Sequence, residues 1–293
     1  MTHAILILAH KNLGQLIPLV GYFAMDCQVF IHIDQKCTID GDVVSRLKSH
    51  PWVHVFDSRF DIHWGGFTML KVELVLLSMV LKECNTDYIH LISGQDYPVK
   101  PLHTFLQFFD RNNEVNFIEY KPYPFNTREP ARYSQGKFYL PYDFVDGRKP
   151  SGIAVAEKWA ERQTHGGRIR PDGCPFPHRY KGSQWFSVTR NAVEELLRFT
   201  DNGPSFLLSL RYTFAPEEIY VPTVLVGLLP GKTIANDNLR YVRWKMENHS
   251  NPANLGIEHF GELSKSTAFF ARKMQPPYCT SLIESINQYL LRK

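Results

Sequence analysis

Two adjacent carboxylates, Glu217 and Glu218, open the stretch Ala215-Pro216-Glu217-Glu218-Ile219-Tyr220, which reads as the start of a helix. Pro216 suits a first helical position, where its missing N–H leaves nothing unsatisfied. The unpaired N–H groups and the dipole of that first turn favour negative charge. A carboxylate kept ionised there can accept a proton from a substrate hydroxyl. The same Pro-Glu-Glu pattern also opens many purely structural helices, and Pro222 would kink this one or delay its start. A cationic pair, Arg272-Lys273, follows the run Phe269-Phe270-Ala271. Arginine offers a fork of donors and lysine a point charge, a combination that grips phosphate oxygens when no metal neutralises them. On many surfaces such a pair is merely solvated. Asp40-Gly41-Asp42 fits a D-x-D metal pattern as a string, but it lies in a turn-like stretch rather than at a buried strand end. Neither a P-loop nor a G-x-G-x-x-G fingerprint is present.

The elements that must position these groups alternate. Apolar runs at 4–9, 28–34, 53–56, 87–92 and 116–119 read as strands, and 13–23, 68–83 and 102–109 as helices between them. Alternation of this kind predicts βαβ units and a mostly parallel sheet flanked by helices. Ligands of such sheets bind beyond the carboxyl ends of the strands. His10, Asp34, Gly94, Asp96 and Glu119 all fall there. His32 shares a strand face with Asp34 and reads as a core histidine, whereas Asp34 is placed to accept from a base or ribose. From 121 to 180 the pattern gives way to Pro, Gly, Tyr and Arg, with one helix expected near 153–162; long irregular segments of this kind usually carry function. Regular structure resumes with a strand at 182–188, a helix at 191–199, the Pro216 helix, a strand at 238–244 and a final helix at 281–291. No repeat or linker divides the 293 residues.

A hydrophobic fraction of 44% with 21% charged residues is ordinary for a globular chain with a sizeable core. A net charge of +4 is too small to argue for nucleic acid, yet compatible with an anionic small substrate. The 14 Tyr and 20 Phe exceed what a core needs, and aromatic faces suit sugar rings. Five scattered cysteines without C-x-x-C spacing argue against a disulfide framework or zinc site. No run approaches the roughly 18 apolar residues of a membrane span, so a cytoplasmic protein is expected.

Seven strings occur in family order: His32-Ile33-Asp34-Gln35-Lys36, Trp64-Gly65-Gly66, Ser93-Gly94-Gln95-Asp96-Tyr97-Pro98, Gly182-Ser183-Gln184-Trp185-Phe186, Pro216-Glu217-Glu218, Asn238-Leu239-Arg240 and Phe269-Phe270-Ala271-Arg272-Lys273. Each is weak alone. Together, across nearly the whole chain, they resemble the core-2/I-branching glycosyltransferases, the group that includes the peptide O-xylosyltransferases. The resemblance implies a GT-A-type α/β fold and inverting, metal-independent transfer from a UDP-sugar, without a cofactor. It implies Glu218 as the general base and Arg272 with Lys273 on the diphosphate. Asp34 and the backbone near Leu8 match the uracil contacts, with His10 beside them in the nucleotide site. Trp64, Asp96, Glu119, Arg132 and Trp185 fall in the sugar-binding region. Departures are also present: Gln184 stands where the xylosyltransferases have Asp, and a further diphosphate arginine has only Arg240 or Arg243 as counterparts. The membrane anchor and disulfides of the animal members find no match, which suits a bacterial relative building surface polysaccharide.

The expectation is therefore a single GT-A domain over 1–293, with 1–120 as the nucleotide half and 121–293 as the acceptor and catalytic half. It would move N-acetylglucosamine, or else xylose, to a glycan or lipid-linked oligosaccharide, with peripheral contact at the inner face of the membrane. A glycan-binding protein that keeps the fold without turnover is the alternative, and erosion at Glu218 or Arg272 would be its signature. A nucleotide-sugar hydrolase or nucleotidyl transferase would lean on Mg²⁺.

Overall fold

The computed structural model describes residues 1–23, 26–57, 60–123, 138–166 and 173–291. Its strands are β1 (His3–Ala9), β2 (Cys27–Ile33), β3 (Val53–Asp57), β4 (Tyr88–Ser93), β5 (Tyr97–Pro98), β6 (Asn116–Pro122), β7 (Tyr180–Thr189), β8 (Ile234–Ala235), β9 (Arg240–Val242) and β10 (Phe270–Arg272). Its α-helices are α1 (Leu16–Phe23), α2 (Gly41–Lys48), α3 (Phe67–Glu83), α4 (Leu102–Arg111), α5 (Pro150–His165), α6 (Arg190–Asn202), α7 (Ser205–Ser209), α8 (Glu217–Leu228), α9 (Phe260–Lys265) and α10 (Thr280–Tyr289).

A seven-stranded sheet runs in the order β3-β2-β1-β4-β7-β6-β8. Its pairs are parallel except those of β7, which is antiparallel to both β4 and β6. The fold is thus the α/β arrangement anticipated, a mostly parallel sheet with helices on both faces. β1 and β4 are buried along their whole length, as continuous apolar runs in a two-sided sheet must be. One face carries α3, α6 and α8 with residues such as Leu6, Leu77, Phe186 and Tyr220; the other carries α1, α2 and α4 with Ile5, Phe23, Ile31 and Phe105.

Two features aim the sheet at a site. Beside it lies a second sheet, β5-β10-β9, whose strands are short but deliver Arg240 and Arg272. The strand expected over 238–244 is only Arg240–Val242 because Leu239 adopts a left-handed φ of 60°, which breaks the extended run. The helix expected near 153–162 extends to Pro150–His165, with Pro150 in its first turn. α8 begins one residue later than expected, at Glu217, and continues through Pro222. Proline here removes only the N–H that would have bonded the Glu218 carbonyl. α8 is buried on nearly every side, the pattern of a core helix.

Candidate active site

A cleft of about 840 Å³ opens at the carboxyl edge of the parallel strands. β6 contributes Glu119 and Lys121, β7 contributes Lys181 to Trp185, and α8 contributes Glu218. The lining also includes Arg240, Trp244, Asn251, Pro252, Arg272 and Lys273, together with Trp64 and Arg148.

Glu218 is brought there by a tight local arrangement. Ala215 has a φ of 49°, and its N–H donates to the Gly65 carbonyl at 2.9 Å. Gly65 itself needs φ 81°, and any Cβ there would meet the Phe214 ring at 2.6 Å. Trp64 closes on the same ring edge-on at 5.1 Å. The Trp64-Gly65-Gly66 string therefore braces the turn that launches α8. From that turn Glu218 points into the cleft and pairs through Oε2 with Lys181 Nζ at 3.3 Å. Burial raises its pKa, and Lys181 is the principal counterweight. Glu217 points the other way, into the protein, where burial and then the neighbouring Glu218 push it up to about 8. Glu73 of α3 is wholly buried, and burial drives it well above the carboxylate range; its Oε1 accepts from Gln184 Nε2 at 2.6 Å. Burial thus disfavours charge on all three carboxylates, and of the three only Glu218 has a cation in contact among the described residues.

The Arg272 guanidinium lies over the Trp185 ring of β7, 4.3 Å from its centroid. Behind it Asp96 makes an ion-pair contact at 3.5 Å, and Asp96 Oδ2 is itself held by the Ser93 N–H at 2.8 Å. Nε and Nη1 of Arg272 are buried with no hydrogen-bond acceptor among the described residues, so its donors are fixed but unsatisfied. Lys273 Nζ donates to Ser250 Oγ at 3.2 Å; burial, then Arg272, Lys11 and Arg148, lower it to about 8. Such crowding of cations marks a place where an anion would be stabilised.

The residues singled out from sequence fall into separate groups here. Glu218, Arg272, Lys273, Trp64, Glu119 and Trp185 line one cleft. Leu8, His10 and Asp34 lie at the ends of β1 and β2, on the same edge but off the cleft wall. The Leu8 side chain is in the core, and its carbonyl accepts from Gly94 N–H at 2.9 Å. Asp34 is buried and accepts from Lys36 N–H at 2.8 Å. His10 is pushed down to about 4 by desolvation and then by Lys11 and Arg148. Asp96, expected among the sugar contacts, is instead buried behind Arg272 and holds it in place. Arg132 lies outside the described residues. Arg240 is not free for a diphosphate: its guanidinium donates to the carbonyls of Leu91 at 2.9 Å and Phe186 at 2.7 Å, to Ser187 Oγ at 2.9 Å and to the Asn238 carbonyl. Arg243 is tied to Glu247 and Glu262. Asp40 caps α2, accepting from Asp42 and Val43 N–H groups, so the D-x-D string is a helix start. Among the described residues no group of three or more His, Cys, Asp or Glu side chains is placed to hold a metal.

Cleft residues that no sequence string marks are Lys181, Arg148 and Trp244, and Asn238, marked only as part of a string, joins them there. Arg148 also lines the cleft, and Asp146 holds its guanidinium through two 3.0 Å bonds. Asn238 Nδ2 donates to Glu119 Oε2 at 2.7 Å and so orients it. Trp244 stands 75% exposed on the cleft wall.

A family model described as Core-2/I-Branching enzyme matches residues 4–264. Human (Homo sapiens) Xylosyltransferase 1 is 24% identical over 292 residues, an alignment that takes in 89% of this chain and 27% of that protein. The chain therefore spans less than a third of that relative's length. The Danio rerio Beta-1,3-galactosyl-O-glycosyl-glycoprotein beta-1,6-N-acetylglucosaminyltransferase 4 is 22% identical, with 98% of this chain and 69% of that protein covered. Among solved structures, residues 1–349 of S. aureus TarS are similar at a TM-score of 0.39 and 12% identity, covering 78% of this chain and 56% of that one.

Proposed function

The chain belongs to the Core-2/I-Branching enzyme family, and from that premise we propose that it is an inverting glycosyltransferase that uses a UDP-sugar and needs no metal. The observation that carries this reading is the placement of Glu218 and the Arg272-Lys273 pair in the lining of one cleft. In the proposed step, a Glu218 carboxylate oxygen takes the proton of an acceptor hydroxyl. The acceptor oxygen forms its bond to the anomeric carbon from the face opposite the nucleotide, while the bond to the UDP oxygen breaks. The electron pair leaves with UDP, where Arg272 and Lys273 offset the growing negative charge. One displacement on the back face inverts the anomeric centre. Two fixed cations supply the charge that a metal supplies elsewhere. Leu8, His10 and Asp34 are assigned to the nucleotide base and ribose, and Trp64, Trp185 and Glu119 to the sugars.

The donor sugar is proposed to be N-acetylglucosamine, with xylose second, in keeping with the names of the two relatives. The acceptor is proposed to be a glycan hydroxyl, including one on a lipid-linked oligosaccharide of a bacterial surface polysaccharide. Among the described residues no helix is long and apolar enough to cross a membrane, so contact with such an acceptor at the inner face of the membrane would be peripheral. A fold that binds sugars without turnover is disfavoured, because both Glu218 and Arg272 are present and aimed into the cleft. The test is UDP release from UDP-N-acetylglucosamine and UDP-xylose across an acceptor panel, with EDTA present throughout. Acceptor-dependent release that survives the chelator is expected. A strict Mn²⁺ requirement would contradict metal independence, and release without any acceptor would point to a hydrolase.

A further inference from the structure

Lys181 pairs with Glu218 in the cleft at 3.3 Å, and no sequence string marks it. We propose that Lys181 is the positioning residue for Glu218, holding Oε2 so that Oε1 faces the acceptor hydroxyl. This rests on the reading of Glu218 as the base.

The geometry comes from three elements. Lys181 lies on β7 directly across from Lys121 of β6, at the point where the pairing resumes after an irregularity at Ile118 and Tyr120. Gly182, the next residue, packs so closely that a Cβ would sit 1.8 Å from the Glu119 carbonyl oxygen. That contact sets the depth of β7 and hence of the Lys181 side chain, which is 20% exposed. α8 supplies Glu218, 34% exposed, with Oε2 at 3.3 Å from Lys181 Nζ.

The groups that face Glu218 are Lys181 and Lys121, which favour its charge, and Glu119, Glu217, Glu73 and Arg272 around them. Glu119 opposes ionisation, while Glu217 and Glu73 are driven toward their neutral forms by burial. Arg272 is occupied on its far side by Asp96. Lys181 is the cation in direct contact with Glu218. Burial raises the Glu218 pKa, and removing Lys181 would take away the largest influence that lowers it. The ion pair also fixes the direction of the carboxylate.

The test is the pH profile of kcat/KM for Lys181→Met, Lys181→Gln and Lys181→Arg, each first shown to bind UDP as wild type does. For Lys181→Met the acid limb should move to higher pH by on the order of one unit or more, the usual effect of removing an opposite charge at this range. Turnover should be low at neutral pH and recover on the alkaline side. Lys181→Gln, which keeps a donor but no charge, should share the shift, and Lys181→Arg should restore the wild-type limb. An acid limb that stays put in both Met and Gln variants would overturn the proposal, whatever the activity. Failure of the base reading is separate: it would show as turnover that persists in Glu218→Gln. A fixed limb with an inactive Glu218→Gln removes only the role of Lys181.

Discussion

Arg272 and Lys273 are adjacent in sequence but held in different ways, and the difference predicts how each would fail. Arg272 is stacked on Trp185 and backed by buried Asp96, with donors that lack acceptors. Lys273 is tethered by Ser250 and lowered to about 8 by burial and by nearby cations. If Lys273 grips the diphosphate, Lys273→Ala should weaken UDP binding by about 1.5–3 kcal/mol, roughly 10- to 150-fold in Kd by calorimetry. Wild-type affinity should also decline as pH rises past 8, since the neutral amine must then take up a proton to bind. An unchanged Kd would remove Lys273 from the site. Glu218, Arg272 and Lys273 stand out in the sequence only through the order of the seven strings, since each string alone reads equally as a helix start or a solvated pair. Lys181 and Arg148 do not, because what gives them meaning is a partner far along the chain: Glu218 and the Lys273 cluster. Nothing in the string around Asp96 shows that its side chain turns inward to an arginine of β10.

At the scale of elements, the β6–β7 pair is what sets the cleft wall. Gly182 is the point of closest approach, and its missing Cβ is the reason the strands can meet. Gly182→Ala must push β7 off the Glu119 carbonyl and carry Lys181, Gln184 and Trp185 with it. A loss of roughly 1–3 kcal/mol in denaturant stability, the usual cost of overpacking, is expected, together with a large drop in transfer. Wild-type stability with wild-type turnover would show that this contact does not set the wall. The alternation of strands and helices over the first 120 residues was readable, because apolar runs and helical periods are local signals. The antiparallel direction of β7 and the small β5-β10-β9 sheet were not, since strand direction depends on where the chain re-enters after the irregular segment.

Across the whole molecule, a buried polar chain ties the first strand to the cleft. Arg240 can only donate, so Ser187 Oγ accepts from it at 2.9 Å and turns its own proton to His90 Nδ1, also at 2.9 Å. His90 Nε2–H then donates to His3 Nδ1 at 3.1 Å. Both imidazoles must be neutral for this order to hold. Burial accordingly lowers His3 to about 4 and holds His90 well below the usual imidazole value. Because the folded pKa of His3 lies below its unfolded value of 6.5, the unfolded chain takes up the proton first. Its contribution to stability is complete above pH 6.5 and is lost as pH falls toward 4. Buried Glu217 changes in the opposite sense over its own range, so the His3 part is read as a difference. Between pH 6.5 and 4, wild type should lose about 3 kcal/mol more than His3→Phe in urea denaturation. Parallel pH curves for the two proteins would show that His3 is not held neutral.

The central proposal is that Glu218 and the Arg272-Lys273 pair divide one reaction between them in one cleft. Its most direct test is Glu218→Gln, with acceptor-dependent transfer and UDP affinity measured on the same preparation. Transfer should fall by at least about 10²-fold, the usual worth of a positioned base, with the Kd for UDP essentially unchanged. Retained transfer, or loss of UDP binding in its place, would contradict the account.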